Sequence, residues 1–427
     1  MRPVEKRPGF HKPAAAISIV FSLVIAYLLV APLFGRYYAG NLKGVTRSSL
    51  RKADAIDFGN YKYPYYLALD SLFSIVRYNP ERAALLFRKG LGRYPLHQFS
   101  WYGLARAYYA MGMTDRGDML FDAIYRSITY DSRLAWDSGI FLFTKGDKKR
   151  GAMFLGKYLA LNPGDLGKVL DICYQLGLET DDILYSLLGN RPAAYDPLLN
   201  YLAGRKRLDD IEKVWNTVKH AAINNKTKLN ICNASINGGR YGFARSIWND
   251  LSVRKGNTML IKNGNFEFSI MNGCYGWIKG KTAGMKTGTD EDINVSGMKS
   301  FSVGFDGAHN PGVSVLRQVV PLEAGGGYGL TAYIKTEDIT TTNGLYFYIS
   351  GFKCRMRPVR SEIFTGTVPW TRVGIGFDVP EGCSAVTVSL RRDRSRKFNN
   401  KIGGSAWIDN VEMEKTGPRT SDIGRRT

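Results

Sequence analysis

Three textures of hydrophobic and polar positions follow one another along the chain. Residues 14–34 carry no charge and are dominated by Ile, Val, Leu and Ala. A helix rises about 1.5 Å per residue, so this run spans roughly 30 Å, the thickness of a bilayer's hydrocarbon core. Residues 56–255 then read as helices parted by short turns marked with Gly or Pro, and few stretches alternate with period two. From Met259 onward Gly, Thr, Val and Tyr rise and strict alternation appears, as in Tyr328-Gly-Leu-Thr-Ala-Tyr-Ile334, Leu345-Tyr-Phe-Tyr-Ile349 and Val386-Thr-Val-Ser-Leu390. Each run has one apolar face, which predicts strands of a two-layer antiparallel sandwich with one wetted face per sheet.

The first texture predicts an uncleaved membrane anchor over residues 13–35, longer than a signal-peptide core and without a small-x-small cleavage site. Arg2, Lys6, Arg7 and Lys12 precede it, whereas only Arg36 and Lys43 lie in the ten residues after it. The positive-inside rule then puts residues 1–12 in the cytoplasm and the bulk of the chain outside, with Tyr37 and Tyr38 at the far interface. Residues 36–55 form a juxtamembrane linker. A cleaved signal peptide is the competing reading.

In the helical segment, a shift of 34 residues superposes Arg82, Arg116 and Arg150, then Ala83, Gly117 and Gly151, then Phe87, Phe121 and Leu155. Gly112 and Gly146 mark equivalent turns, and Pro95 and Pro163 close equivalent helices, since proline cannot continue the hydrogen-bond ladder. Trp101-x-x-Leu104-Ala105-x-x-Tyr108 stands sixteen residues before Gly117. These residues resemble the tetratricopeptide signature, with Ala at its usual Gly. The resemblance implies an α-solenoid of helix pairs over residues 56–255 whose concave surface binds a protein partner. The register slips between Leu166 and Asn200, and later units, marked by Gly204 and Gly238, are degenerate. The solenoid as a mere spacer is the alternative.

The sandwich segment, residues 256–416, opens on Asn263-Gly-Asn-Phe-Glu267 and Gly276-Trp277. It closes on Trp407-Ile-Asp-Asn-Val411. The order of these landmarks resembles a galactose-binding-like jelly roll of the carbohydrate-binding-module type. In that family a structural calcium often ties the first strand to the last, which implies Glu267 and Asp409 as its carboxylate ligands, helped by carbonyls near Asn265 and Lys299. The alternative is that both carboxylates bond to turn amides. Sugar recognition needs aromatic faces and polar groups off the core side of the strands. Tyr333, Tyr346, Tyr348 and Arg391 are the candidates. By the resemblance, Trp277, Trp370 and Trp407 pack in the core.

Charge and cysteines narrow the partners. The net charge of +22 calls for a polyanion: an acidic polysaccharide, anionic lipid or nucleic acid. With the body of the chain outside the cytoplasm, nucleic acid is not expected. Residues 417–427 read as a disordered basic tail. Cys173 and Cys232 lie in helical sequence and read as small core residues, while two of Cys274, Cys354 and Cys383 could pair in an oxidising compartment, without the sequence saying which. No C-x-x-C pair, G-x-S-x-G elbow, Walker loop or H-E-x-x-H occurs, and the four histidines are scattered. The expectation is a multidomain α + β protein with no required cofactor and no catalytic centre. The pairing of the two resemblances implies a single-pass protein of a bacterial inner membrane facing the periplasm, expected to bind glycan with its sandwich and protein with its repeats in exopolysaccharide or surface-polysaccharide assembly or export. The alternatives are a scaffold whose sandwich binds protein, and a cytoplasmic binder of anionic lipid or nucleic acid.

Overall fold

The computed structural model describes residues 12–40, 42, 45–251 and 259–417. The basic flank at Arg2, Lys6 and Arg7, Lys43 behind the helix, and the tail beyond Gly417 lie outside the described residues. The chain divides into two compact units, Met1–Asn190 and Arg191–Thr427.

In the first unit, helix α1 (Lys12–Ala39) is followed by α2 (Arg47–Ile56) and then by antiparallel helix pairs. These are α3 (Lys62–Phe73) with α4 (Pro80–Arg93), α5 (Gln98–Ala110) with α6 (Thr114–Ser127), and α7 (Ser132–Thr144) with α8 (Lys148–Leu161). Within α1 the span Ala16–Ala39 has a mean hydropathy of 2.6, long and apolar enough to cross a membrane or to serve as a signal sequence.

The 34-residue spacing has a direct physical meaning. Asn79, Asp131 and Asp147 cap α4, α7 and α8 by accepting from the amides of Arg82, Leu134 and Arg150. Gly112 and Gly146 take φ of +75° and +85° in the tight turns α5–α6 and α7–α8, a conformation that costs other residues energy. Gly117 and Gly151, equivalent in the repeat, lie against the rings of Tyr109 and Phe143 on the partner helix. A methyl group has no room at either. The slip of register after Leu166 also has a cause. α9 (Leu166–Gln175) is short, and the next helix, α10 (Thr180–Asp182), runs into a π-helical turn at Ile183–Leu187. Gly156 of α8 lets the Leu187 carbonyl approach to where a Cβ would stand.

The second unit starts with helices and ends in the sandwich. α11 (Tyr195–Gly204) pairs with α12 (Leu208–Val218), and α13 (Asn225–Asn237) with α14 (Tyr241–Leu251). The compact unit therefore crosses the boundary expected at residues 255/256. A disulfide between Cys232 of α13 and Cys274 ties the last helix pair to the opening of the sandwich. The Cys274 amide donates to Asn233 Oδ1 (2.7 Å) and the Tyr275 hydroxyl to the Tyr241 carbonyl (2.8 Å). Cys232 is thus half of a cross-link rather than a free core thiol, while Cys173 is buried and unpaired as a thiol, as expected. A second disulfide joins Cys354 and Cys383 inside the sandwich.

The sandwich has ten strands: β1 (Ile278–Lys279), β2 (Met285–Asp290), β3 (Ser300–Asp306), β4 (Val313–Pro321), β5 (Gly327–Ile339), β6 (Tyr346–Gly351), β7 (Val359–Arg360), β8 (Gly366–Asp378), β9 (Ala385–Arg392) and β10 (Gly403–Thr416). They form two antiparallel five-stranded sheets, one in the order β1-β4-β9-β6-β7 and the other β2-β3-β10-β5-β8, the expected jelly roll. Alternate residues meet in one core that includes Trp277, Phe301, Ile334, Phe347, Val388 and Ile408. Trp277 stacks on Phe266 with centroids 5.8 Å apart and donates its indole N–H to the Asn263 carbonyl (3.0 Å). The opening Asn-Gly-Asn-Phe-Glu segment folds onto the last strand, where the Val411 amide donates to the Gly264 carbonyl (3.0 Å).

Candidate functional site

Cross-strand pairing shows which candidate residues share a face, because residues directly opposite one another on neighbouring strands present their side chains together. In the first sheet Phe347 and Ile349 point into the core, so Tyr346 and Tyr348 stand on the outer face. Tyr346 pairs with Arg391 and Tyr348 with Ser389 on β9. Ser389 in turn pairs with Arg317 on β4, and Tyr348 with Arg360 on β7. One row therefore reads Arg317, Ser389, Tyr348, Arg360 across four strands, with Arg391 and Tyr346 in the next.

The side chains form a connected group. The Arg391 guanidinium lies 4.8 Å from the Tyr348 ring centroid and that of Arg360 5.8 Å from Tyr346, distances at which a ring face attracts a cation. The Tyr346 hydroxyl donates to Asp393 (2.6 Å), which also faces Arg391 at 3.4 Å. Burial, and then the hydrogen bond to Asp393, push the Tyr346 phenol up to about 12. Tyr346 is only 2% exposed, so its ring is not a platform for a ligand. It buttresses Tyr348, which is half-buried, and holds Asp393 beside Arg391.

Tyr333 does not join this group. It lies on β5 of the other sheet, opposite Asp409 and Arg372, on a separate face of the sandwich. Trp407 points away from the core, donates its indole N–H to Asp290 (2.8 Å) and has the Lys335 ammonium 5.3 Å from its ring. Trp370 lies within β8 and is partly exposed. Of the three tryptophans expected in the core, only Trp277 lies in the sandwich core cluster. Trp407 alternates with the core residues Ala406 and Ile408, which was a signal of its outward direction. Its pairing with Ser302 on β3, opposite Gly288 on β2, leaves small residues beside it.

Glu267 and Asp409 close on one loop. Glu267 Oε1 accepts from the amides of Met298 (2.7 Å) and Lys299 (3.1 Å). Asp409 Oδ2 accepts from Val295 (2.9 Å) and Ser296 (3.2 Å), and its Oδ1 from Asn410 (2.7 Å). Burial raises the Asp409 carboxyl above the usual range, opposed by its three amide donors. A calcium ion needs several oxygen lone pairs, and here both oxygens of Asp409 and one of Glu267 already face N–H groups. No group of three or more His, Cys, Asp or Glu side chains suited to a metal occurs among the described residues. The two carboxylates thus act as a clasp on the backbone amides of one loop.

No family model matches the chain, and no curated protein matches it. Solved structures offer likenesses at low identity. A structure of TmCBM61 in complex with β-1,4-galactotriose is 17% identical over 38% of this chain and all of that one, with a TM-score of 0.27. YrrB, a TPR protein with an unusual peptide-binding site, is 16% identical over 48% of this chain and 91% of that one (TM-score 0.24). The enzymatically active domain of tailspike protein 4 from bacteriophage CBA120 is 17% identical over 37% of this chain (TM-score 0.29), and the match spans only 21% of its own length. Tetratricopeptide and carbohydrate-binding-module structures, the two types expected from the sequence, thus both occur among the likenesses.

Proposed function

We propose that this protein is a non-catalytic, membrane-anchored glycan-binding scaffold of the bacterial periplasm, acting in the assembly or export of an acidic exopolysaccharide or surface polysaccharide. The observation that carries the reading is the outer face of the first sheet. There Tyr348 offers an aromatic surface among Arg317, Arg360 and Arg391, with Ser389 between the strands. Guanidinium groups bind carboxylates in bidentate fashion, and a partly exposed phenol ring packs on the C–H surface of a sugar. That chemistry suits a uronate-bearing chain better than a neutral one.

The cysteines support this compartment: two disulfides suit an oxidising space outside the cytoplasm, since such bonds are rare where thiols are kept reduced. This supports an orientation with α1 as anchor and the remainder of the chain outside, and disfavours a cytoplasmic binder of lipid or nucleic acid. The helix pairs present a surface for a protein partner of the same machinery.

A second reading places the glycan on the other face, where Tyr333 stands opposite Arg372 and Lys335 lies over the ring of Trp407, which is itself only 7% exposed. Glycan-array binding by the full chain in detergent micelles separates the two. Loss of acidic-glycan binding in Tyr348→Ala/Arg391→Ala, with retention in Tyr333→Ala/Trp370→Ala, is the expected result. The opposite pattern moves the site to the second sheet. A wild-type protein that is folded and binds no glycan leaves the scaffold role alone.

A further inference from the structure

An open cavity of about 830 Å³ lies in the second unit, lined by α11, the start of α12 and α13, with Lys353 as its one residue from the sandwich. Its lining includes Asn230, Asn233 and Asn237 of α13, with Lys206, Lys226 and Lys353 around them, and no carboxylate side chain. The three asparagines stand at positions i, i+3 and i+7, one face of a helix. They form a row about 10 Å long at 1.5 Å per residue.

The carboxamides are only partly used. Asn230 donates to Asn200 Oδ1 (2.8 Å), which leaves its own oxygen to accept. Asn233 accepts from the Cys274 amide, leaving its NH₂ to donate. Lys353 is held at the rim by a backbone φ of +58°, beside the Cys354–Cys383 disulfide, and its ammonium donates to the Asn237 carbonyl. A non-glycine residue in this left-handed conformation is strained, and such positions gather at ligand clamps.

We infer that this cavity is a second glycan subsite, which takes a short oligosaccharide bearing carboxylates. Carboxamides in a row offer donors and acceptors to successive hydroxyl groups, and the lysine ammoniums meet the acidic substituents. The size falls within the range of small-ligand pockets, about 300–1,000 Å³. A peptide is disfavoured by the walls. Protein-binding centres are rich in large aromatic and Arg anchors and poor in Lys, whereas here Leu208 is the one large apolar residue of the lining. The cross-link of Cys232 to Cys274 lies one residue from Asn233 on the helix side, so it fixes the helix row against the sandwich. The inference does not depend on either sandwich face being a binding site.

Isothermal titration of the full chain in detergent micelles with tetragalacturonate tests it, beside its methyl ester as a neutral ligand and tetraglutamate as an acidic peptide. The variants are Lys206→Gln/Lys226→Gln, Asn237→Ala and, as a control for the sandwich, Tyr348→Ala/Arg391→Ala, each checked for an unchanged melting temperature. The expected result is that tetragalacturonate binds at a site weakened tenfold or more in the lysine pair and in Asn237→Ala, and retained in the sandwich control. The methyl ester is expected to bind at least tenfold more weakly. Absence of tetragalacturonate binding overturns the inference. So does binding that the cavity variants retain and the sandwich control loses, which leaves the sandwich reading standing. Tetraglutamate binding as tightly as the saccharide replaces the glycan with an acidic peptide.

Discussion

Gly117→Ala puts the repeat architecture to a quantitative test. A Cβ added at Gly117 would lie 2.5 Å from Cδ2 and 2.7 Å from Cε2 of Tyr109, and 3.3 Å from the Ala105 carbonyl. Tyr109 is not free to swing aside. Its hydroxyl donates to Asp118, which is bound by Arg150 of α8 at 2.6 Å. Burial and then Asp118 push the Tyr109 phenol up to about 12. At Arg150, burial works against the charge, yet the hydrogen bonds it donates to Asp147 and Asp118 outweigh it and raise the guanidinium. Overpacking a tight site costs about 1–3 kcal/mol, and displacing the phenol forfeits a charge-assisted hydrogen bond worth about 1.5–3 kcal/mol. Against this, Ala exceeds Gly in helix propensity by about 1 kcal/mol. The net expectation is a destabilisation of about 1.5–5 kcal/mol. Gly92→Ala is the paired control, because Gly92 lies in α4 with nothing within 4 Å of its added Cβ. There the propensity gain stands alone, and a stabilisation of about 0.5–1 kcal/mol is expected. Urea unfolding followed by circular dichroism at 222 nm reads both. A Gly117→Ala protein as stable as wild type would refute the packing argument, since the same propensity gain would then be unopposed at both sites.

Asp409→Asn puts an NH₂ where backbone N–H groups now converge, and should lower stability by about 1–3 kcal/mol in thermal melts, the penalty for unsatisfied buried polar groups. Chelation with EDTA should leave the melting temperature unchanged, and a calcium-dependent rise would show that the clasp also takes an ion. Because the folded Asp409 carboxyl is raised, the native state holds its proton longer than the unfolded chain. Its contribution is therefore present below the ordinary carboxylate range and is lost as pH climbs from there through the raised value. A flat dependence of the wild-type minus Asp409→Asn difference across that window refutes the assignment. Tyr346 obeys the same sign at high pH: stability falls between about 10 and 12 as its raised phenol ionises, and Tyr346→Phe removes that part of the slope in tyrosinate absorbance and melting curves. Replacing Cys354 and Cys383 with Ser opens a loop of 29 residues and should cost about 3–4 kcal/mol in chemical denaturation.

Legibility in the sequence followed the range of the interactions. The helix pairs were readable because their determinants repeat at a fixed spacing. Gly112 and Gly146 make the same turn, and Gly117 and Gly151 admit the same kind of ring. The strands were readable because each core face is written locally, two residues apart, as at Phe347 and Ile349. What could not be read is which strands become neighbours. Tyr333 was grouped with Tyr346 and Tyr348 on alternation alone, but alternation fixes a side chain's face only within its own sheet, and β5 and β6 belong to different sheets. Trp407 shows the converse. Its neighbours Ala406 and Ile408 turn it away from the sandwich core cluster, yet it is only 7% exposed, so it is buried, as the resemblance implies, without joining that cluster.

The cysteines mark the same limit at longer range. Cys232 sits in an apolar helical stretch, which favours a buried thiol, and its partner lies 42 residues away in a different kind of structure. Spacing offered no choice among Cys274, Cys354 and Cys383, because pairing depends on where the jelly roll brings backbones within about 5.5 Å. Both bonded pairs have Cα atoms 5.4 Å apart. The consequence is functional as well as architectural. The Cys232–Cys274 bond joins α13, which carries the asparagine row, to the sandwich that supplies Lys353, so the cavity draws its lining from both textures of sequence. A boundary drawn at residue 255 from composition cuts through that cavity, and an isolated sandwich begun at Met259 would lack five of its six polar lining residues named above. Binding measured on such a fragment would report on the sandwich faces alone, which makes the fragment a direct way to separate the two sites in the chain.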